Sequence, residues 1–234
     1  MFRFKQFSVD QTGCAMKINT DGVLLGATAT TNNPLSILDI GAGTGVIALM
    51  LAQRFAGAGI DAVEIDKGAA TTATENFKNS PFVDRLKIFP IGFEAYFNQY
   101  PEKKYDLIVS NPPFYINSLQ SPGEKLNLAK HAPKGFFELM VTEVSKRLKD
   151  GGSFWLILPV DTAGLVKAIA GQHDLHLQRI ITIRSFSTDV PHREILSFGM
   201  QETPVIADEL TIYDGHKVYN TKYQKLLKDF LTIF

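Results

Sequence analysis

The chain has 234 residues, with 24 Lys and Arg against 24 Asp and Glu and a formal net charge of zero. That length suits one large domain with short additions, and the charge balance excludes a chain-wide basic field for nucleic acid, so any RNA-facing charge must be local. The single cysteine, Cys14, excludes an intrachain disulfide and a cysteine-based zinc cluster; it fits a reducing cytoplasm, and no metal site is expected. Residues 1–7 lack the apolar stretch of a signal peptide, and the longest apolar run, Phe154 to Val160, is too short to span a bilayer, so no membrane association is expected.

Residues 1–34 precede the first clear strand and read as an N-terminal lid or flap, with Phe2, Phe4 and Phe7 interleaved with Arg3 and Lys5. As a lid, this segment would bring Lys5 and Lys17 toward phosphates. Thr20 or Asp21 is placed to cap a short helix over 22–30. Residues 35–234 form the body. Ser36-Ile37-Leu38-Asp39-Ile40 is a buried parallel strand by its apolar run. Gly41-Ala42-Gly43-Thr44-Gly45 turns directly into the helix Val46–Arg54. Strand, glycine turn and helix form a nucleotide-site arrangement, in which glycines admit a ligand to the backbone and the helix start favours negative charge. Asp39 alters that expectation, because a carboxylate here suits an ammonium better than a pyrophosphate.

A second strand runs over Ile60–Asp66. An acid at its end can accept both ribose hydroxyls. Glu64 and Asp66 share a face by alternation; Asp66 also reads as an N-cap for the helix through Ala69, Ala73 and Asn76, which favours Glu64 for the ribose without excluding Asp66. Arg85–Ile91 is a third strand, followed by Gly92-Phe93-Glu94, where the Phe93 ring or a backbone amide can meet an adenine. Tyr105–Val109 is a fourth, and Ser110-Asn111-Pro112-Pro113-Phe114 ends it. Two prolines cannot donate to a ladder, so the strand must stop there, with Asn111 held extended by the proline after it. The Asn111 amide and the Pro112 carbonyl can each accept an N–H from a planar amino group, and Phe114 can stack on its ring.

Residues 115–132 show little periodicity, and Lys125, Lys130, His131 and Lys134 make that region locally basic, as a substrate-contacting loop would be. An amphipathic helix over 134–149 is expected to end at Asp150-Gly151-Gly152, before a fifth strand over Ser153–Pro159. Asp161 is expected to cap the next helix. Further strands are expected over Leu177–Ser185 and Glu194–Gln201, a small edge strand over Asp208–Tyr213, and a terminal helix over Tyr219–Phe234.

Asp39-Ile-Gly-Ala-Gly-Thr-Gly45, Val63-Glu-Ile-Asp66 and Asn111-Pro-Pro-Phe114 together resemble class I S-adenosylmethionine-dependent methyltransferases that act on exocyclic amines. Phe4-Lys-Gln-Phe7, the block Cys14-Ala-Met-Lys-Ile-Asn-Thr-Asp-Gly-Val-Leu-Leu-Gly26, the Lys130-His131 segment and the tyrosine-rich tail narrow the resemblance to the bacterial tRNA1(Val) (adenine(37)-N6)-methyltransferase family. The resemblance implies a Rossmann-like α/β fold with a seven-stranded sheet, its last strand antiparallel, and helices on both faces. It implies S-adenosyl-L-methionine contacts at Asp39, Gly41, Gly43 and Glu64, with Lys17, Thr20, Asp21 and Gly22 closing over the methionine end; Phe93 and Asn111, at the ends of the third and fourth strands, are expected as further cofactor contacts. It implies target contacts at Asn111, Pro112 and Phe114, the candidate catalytic residues, and a tRNA substrate; Phe114 and the locally basic Lys125, Lys130, His131 and Lys134 are the expected tRNA contacts. A cytoplasmic monomer is expected. Many relatives carry an acid directly after the third strand; Gly92-Phe93 stands there in this chain, with Glu94 as the available substitute.

The same corner could serve a guanine N2 amine in ribosomal RNA, a DNA adenine or a protein glutamine. A non-catalytic binding module on this scaffold is a further alternative. A nicotinamide dehydrogenase is disfavoured by the glycine spacing and by the lack of an evident Tyr-Lys or His pair.

Overall fold

The computed structural model describes residues 1–12, 17–113 and 132–234. In chain order the elements are β1 (Phe2–Arg3), β2 (Ser8–Val9), α1 (Thr20–Thr28), β3 (Ser36–Ile40), α2 (Val46–Arg54), β4 (Gly59–Val63), α3 (Lys67–Lys78), β5 (Leu86–Phe89), α4 (Phe93–Gln99), β6 (Tyr105–Ser110), α5 (Ala132–Arg147), β7 (Leu148–Leu158), α6 (Val160–Ala170), β8 (His176–Arg184), β9 (Arg193–Gly199), β10 (Ile206–Thr211), β11 (Tyr213–Gly215), β12 (Val218–Tyr219) and α7 (Thr221–Leu227).

Among the described residues, eight strands form one sheet in the order β10-β8-β9-β7-β6-β3-β4-β5. All neighbours run parallel except β9, which is antiparallel to both β7 and β8. β3 to β9 are the seven strands of the expected sheet, and β10 is the small edge strand added beyond them. Alternation along each strand feeds two cores. Ile37, Leu107, Val109, Trp155, Ile157 and Ile195 face one side, with α1, α2, α3 and α7. Leu38, Ile108, Phe154, Leu156 and Leu196 face the other, with α4, α5 and α6.

Residues 1–12, expected as part of a lid, are tied down on the first side. Phe4, Phe7 and Val9 are buried in that core, Phe4 bridges Leu231, and Lys5 N donates to Phe230 O at 2.8 Å. That pairing draws the chain out of helical geometry after residue 227. The terminal helix is therefore shorter than the expected span of Tyr219–Phe234.

Three further expectations shift. Helix α5 passes straight into β7, which begins at Leu148 rather than Ser153. The residues read as a helix stop form an irregularity in the β6–β7 pairing. Gly151 takes a φ of 74°, and a Cβ on Gly152 would lie 3.0 Å from the carbonyls of Tyr105, Asp106 and Lys149. The cap of α6 is Pro159, so Asp161 lies inside the first turn. The cap of α1 is Asn19, whose side chain accepts from Gly22 N at 2.9 Å, rather than Thr20 or Asp21. Helix α4 and the β11–β12 hairpin were not foreseen.

Candidate active site

The register aligns Ile40 with Val63 on one side and with Ser110 on the other, so the chain leaves β3, β4 and β6 side by side at one sheet edge. Gly41, Glu64 and Asn111 are therefore neighbours in the crevice that open α/β sheets use for ligands.

The glycine turn is built from left-handed residues: φ is 73° at Gly41, 55° at Gly43 and 82° at Gly45. Side chains are strained in that region. A Cβ on Gly41 or Gly43 would meet nothing within 4 Å, so the turn presents open backbone to the crevice. Gly45 serves packing instead, since a Cβ there would lie 2.4 Å from the Phe77 ring; its absence lets α2 sit closely against α3. Gly41 N and Ala42 N both donate to Val63 O, locking the turn to the end of β4.

The two acids that alternation could not separate have different partners. Glu64 turns back to the glycine turn, accepting from Gly43 N through Oε2 and from Asp66 N through Oε1, each at 2.8 Å. Asp66 is exposed and caps α3, its Oδ1 accepting from Ala69 N at 2.7 Å. Asp39 is fully buried. Its Oδ2 accepts from Ala48 N at 3.1 Å, whereas Oδ1 has no hydrogen-bond partner. Burial pushes this carboxyl up to about 7, and the nearby Glu64 adds to the rise. An unpartnered buried carboxylate oxygen at a strand end is costly to keep and marks capacity for a donor from outside the chain.

The start of α1 lies against Asn111. A Cβ on Gly22 would sit in ordinary van der Waals contact, 3.6 Å from Asn111 Nδ2 and 3.8 Å from Ile47, so the helix start and the corner are close neighbours. Asn111 is half-buried, Pro112 buried and Pro113 exposed. Asp21 does not project freely into the crevice; it pairs with Arg193 Nε at 2.8 Å. Thr20 and Lys17 are exposed beside it. Lys5, expected toward phosphates, instead donates to the C-terminal carbonyls of Lys228 and Phe234.

Several positioning residues escaped the sequence reading. Asn76 is buried and binds the segment before α1 to the glycine turn: Oδ1 accepts from Asp10 N at 2.7 Å, and Nδ2 donates to Thr44 O at 2.9 Å and Asp10 O at 3.0 Å. Gln11 Oε1 accepts from Ile18 N at 2.7 Å, holding the approach to α1. Ile65 is 76% exposed between Glu64 and Asp66, and its Cδ1 would lie 3.4 Å from a Cβ on Gly92. An isoleucine between two acids at a strand end was the available signal for Ile65; for Arg193, far away in the chain, there was none.

Phe93 opens α4 and is half-buried, edge-on to Phe136 with centroids 5.7 Å apart. Glu94 is exposed in the first turn of that helix. Lys134 is exposed on α5 with its Nζ 3.4 Å from Glu138. Phe114, Lys125, Lys130 and His131 lie outside the described residues. Among the described residues no group of three or more His, Cys, Asp or Glu side chains could hold a metal, and no helix is long and apolar enough to cross a membrane.

The methyltransferase small domain family matches residues 14–164. A solved predicted O-methyltransferase of Agrobacterium tumefaciens superposes with a TM-score of 0.70 at 17% identity, covering 90% of this chain and 96% of that one, a likeness of fold. The T. thermophilus 16S rRNA N2 G1207 methyltransferase, solved with AdoMet and guanosine, gives a TM-score of 0.52 at 21% identity, covering 80% of this chain and 44% of that one. The tRNA1(Val) (adenine(37)-N6)-methyltransferase of Flavobacterium johnsoniae is 43% identical, with 98% of each chain covered. That of Pedobacter heparinus is 48% identical over 233 residues, 100% of this chain and 98% of the relative. With this similarity running from end to end and the glycine turn and Asn-Pro-Pro corner in one crevice, the chain belongs to the tRNA1(Val) (adenine(37)-N6)-methyltransferase family.

Proposed function

We infer that this protein transfers a methyl group from S-adenosyl-L-methionine to the N6 amino nitrogen of adenine 37 in tRNA1(Val), acting as a cytoplasmic monomer. One observation carries the reading. A stiff Asn111-Pro112 corner stands beside an open glycine turn and an unpartnered buried carboxylate oxygen, in a chain 48% identical along its whole length to a family member.

The residues present fit the cofactor. Asp39 Oδ1 is an orphaned acceptor for the ammonium of the methionine end. Gly41 and Gly43 leave room for close backbone approach. Glu64 can accept ribose hydroxyls, since each carboxylate oxygen retains a further lone pair. The exposed Ile65, beside Gly92 and Phe93, offers an apolar face to an adenine. Lys17 and Thr20 to Gly22 close the methionine end. When bound, S-adenosyl-L-methionine supplies an electrophilic sulfonium methyl.

The chain's own residues prepare the nucleophile. The lone pair of the adenine amino group is delocalised into the ring. Asn111 Oδ1 and the Pro112 carbonyl accept its two hydrogens and draw the lone pair out of the ring plane. Phe114 stacks on the base, a contact worth about 1–3 kcal/mol, and holds it against the corner. No strong general base is needed, because methylation acidifies the nitrogen and its extra proton passes to water. Catalysis then rests mainly on positioning, which can contribute roughly 7–11 kcal/mol. Lys125, Lys130, His131 and Lys134 hold the tRNA backbone.

The test is incubation with labelled cofactor and separate tRNA1(Val) transcript, total RNA, duplex DNA and protein extract, with the modified nucleoside mapped by mass spectrometry. N6-methyladenosine at position 37 is the expected product. Label confined to DNA or protein would overturn the reading.

A further inference from the structure

A concavity of about 330 Å³ opens among Phe186, Tyr213, His216, Lys217 and Tyr219. These residues belong to two turns, the loop between β8 and β9 and the β11–β12 hairpin. Both turns leave the sheet at the edge that carries Asn111. Ser110 pairs with Leu156 on β7, Leu158 with Glu194 on β9, Arg193 with Ile183 on β8, and Arg184 with Thr211 on β10. The ends of these strands therefore form one rim. Three strand spacings separate β6 from β8, which is roughly 14 Å.

The rim is continuous between the two places. Gly22 lies against Asn111, the adjacent Asp21 pairs with Arg193 at 2.8 Å, and Arg193 opens β9 directly after the loop that carries Phe186. The pocket is also held in shape. Tyr213 N donates to Ser185 O at 2.9 Å, pinning hairpin to loop, and Asp189 Oδ2 accepts from Phe186 N at 3.1 Å, closing the loop on itself. The Phe186 and Tyr213 rings have centroids 5.6 Å apart, and those of Tyr213 and Tyr219 are 5.1 Å apart. Phe186 is 38% exposed, and Lys217 and His216 are exposed at the hairpin tip.

Aromatic faces bordered by a lysine and an imidazole suit an unstacked nucleotide: the rings accept the base and the lysine takes the phosphate. We propose that this pocket is a second RNA subsite, which holds an unpaired nucleotide of the tRNA a few positions along the strand from the adenine at Asn111. The proposal rests on the functional reading above and adds to it a place where the anticodon loop is gripped. A chain whose net charge is zero needs such local sites, and stacking supplies affinity that a charge patch alone would not.

The test uses the full-length protein and unmodified tRNA1(Val) transcript. Phe186→Ala should raise KM for the transcript about 5- to 160-fold, the range that loss of one stacked base implies. Affinity for S-adenosyl-L-methionine and the melting temperature should be unchanged, and Phe186→Trp should restore KM. Lys217→Ala should raise KM less and reduce its salt dependence. Transcripts carrying 4-thiouridine at single anticodon-loop positions should cross-link to peptides containing Phe186 or residues 213–219. An unchanged KM in Phe186→Ala, or cross-links only elsewhere while the wild-type protein methylates the transcript, would overturn the subsite and leave the methyl-transfer reading intact. A wild-type protein that binds S-adenosyl-L-methionine but methylates no tRNA would overturn both.

Discussion

Two aspartates on adjacent strands, the buried Asp39 of β3 and the half-buried Asp61 of β4, meet opposite treatment. Asp61 lies on the face of α4 and is supplied with donors by its own chain: its Oδ2 accepts from the Lys103 ammonium at 2.7 Å, Tyr105 OH at 2.8 Å and Tyr96 OH at 2.9 Å. The Lys103 ammonium also sits 4.8 Å from the Tyr100 ring centroid. Asp39 lies on the other face, has one backbone donor and keeps an oxygen without a partner. A carboxylate supplied with donors by its own chain braces the sheet, whereas a buried carboxylate oxygen left without one at a strand end is tolerated where a ligand will complete it. The contrast separates scaffold from site within one pair of strands.

The largest expected effect concerns the site side. Asn111→Ala should lower kcat about 100- to 1000-fold, the usual scale for losing one aligned hydrogen-bonding group, while calorimetry shows nearly unchanged affinity for S-adenosyl-L-methionine. Unchanged turnover would remove Asn111 from its role.

Asp39 provides the sharpest test of the contrast, because its titration has a definite sign. Its folded pKa, about 7, lies above the ordinary carboxylate value of 3.8. The folded state therefore holds a proton that the unfolded chain releases, and stability falls as pH rises from about 4 to about 7, then levels. The shift corresponds to a loss of roughly 4 kcal/mol across that window. Asp39→Asn should flatten this dependence in urea denaturation at pH 4, 5, 6 and 7 and weaken cofactor binding at least about tenfold. An equally steep pH dependence in the variant would assign it to other groups.

On the scaffold side, Tyr105→Phe removes one donor to Asp61 and should cost about 1–2 kcal/mol of stability, seen as a lower melting temperature, with KM for S-adenosyl-L-methionine unchanged. A matching loss of cofactor affinity would show that the two corners are not independent. The smallest effect is expected at the rim: Lys134→Glu should weaken tRNA binding about threefold and reduce the salt slope by about one counterion.

The part of the fold carried by local chemistry was legible in advance. An apolar run ending in Gly-x-Gly-x-Gly and a second ending in Asn-Pro-Pro dictate where β3 and β6 stop, since φ and missing N–H groups act within a few residues. The cap at Asp66 and the edge strand near Asp208 follow from equally short patterns. Where two local rules competed, the reading failed: Gly151-Gly152 satisfied the rule for a helix end, but carbonyls of β6 and β7 crowd Gly152 and make it part of a bulged strand. Helix α4 was missed because seven residues are too few to show a period.

The sequence by itself determined the chemistry on offer: which strand ends carry a carboxylate, an amide or open glycine backbone. Tertiary structure alone decided how those groups are divided among roles. It turned Glu64 back onto the glycine turn, paired Asp21 with Arg193 across 172 residues, and joined Phe186 to a hairpin from beyond the next two strands. The reason is that hydrogen-bond and stacking partners are set by strand order in the sheet, and that order follows from burying two apolar faces at once.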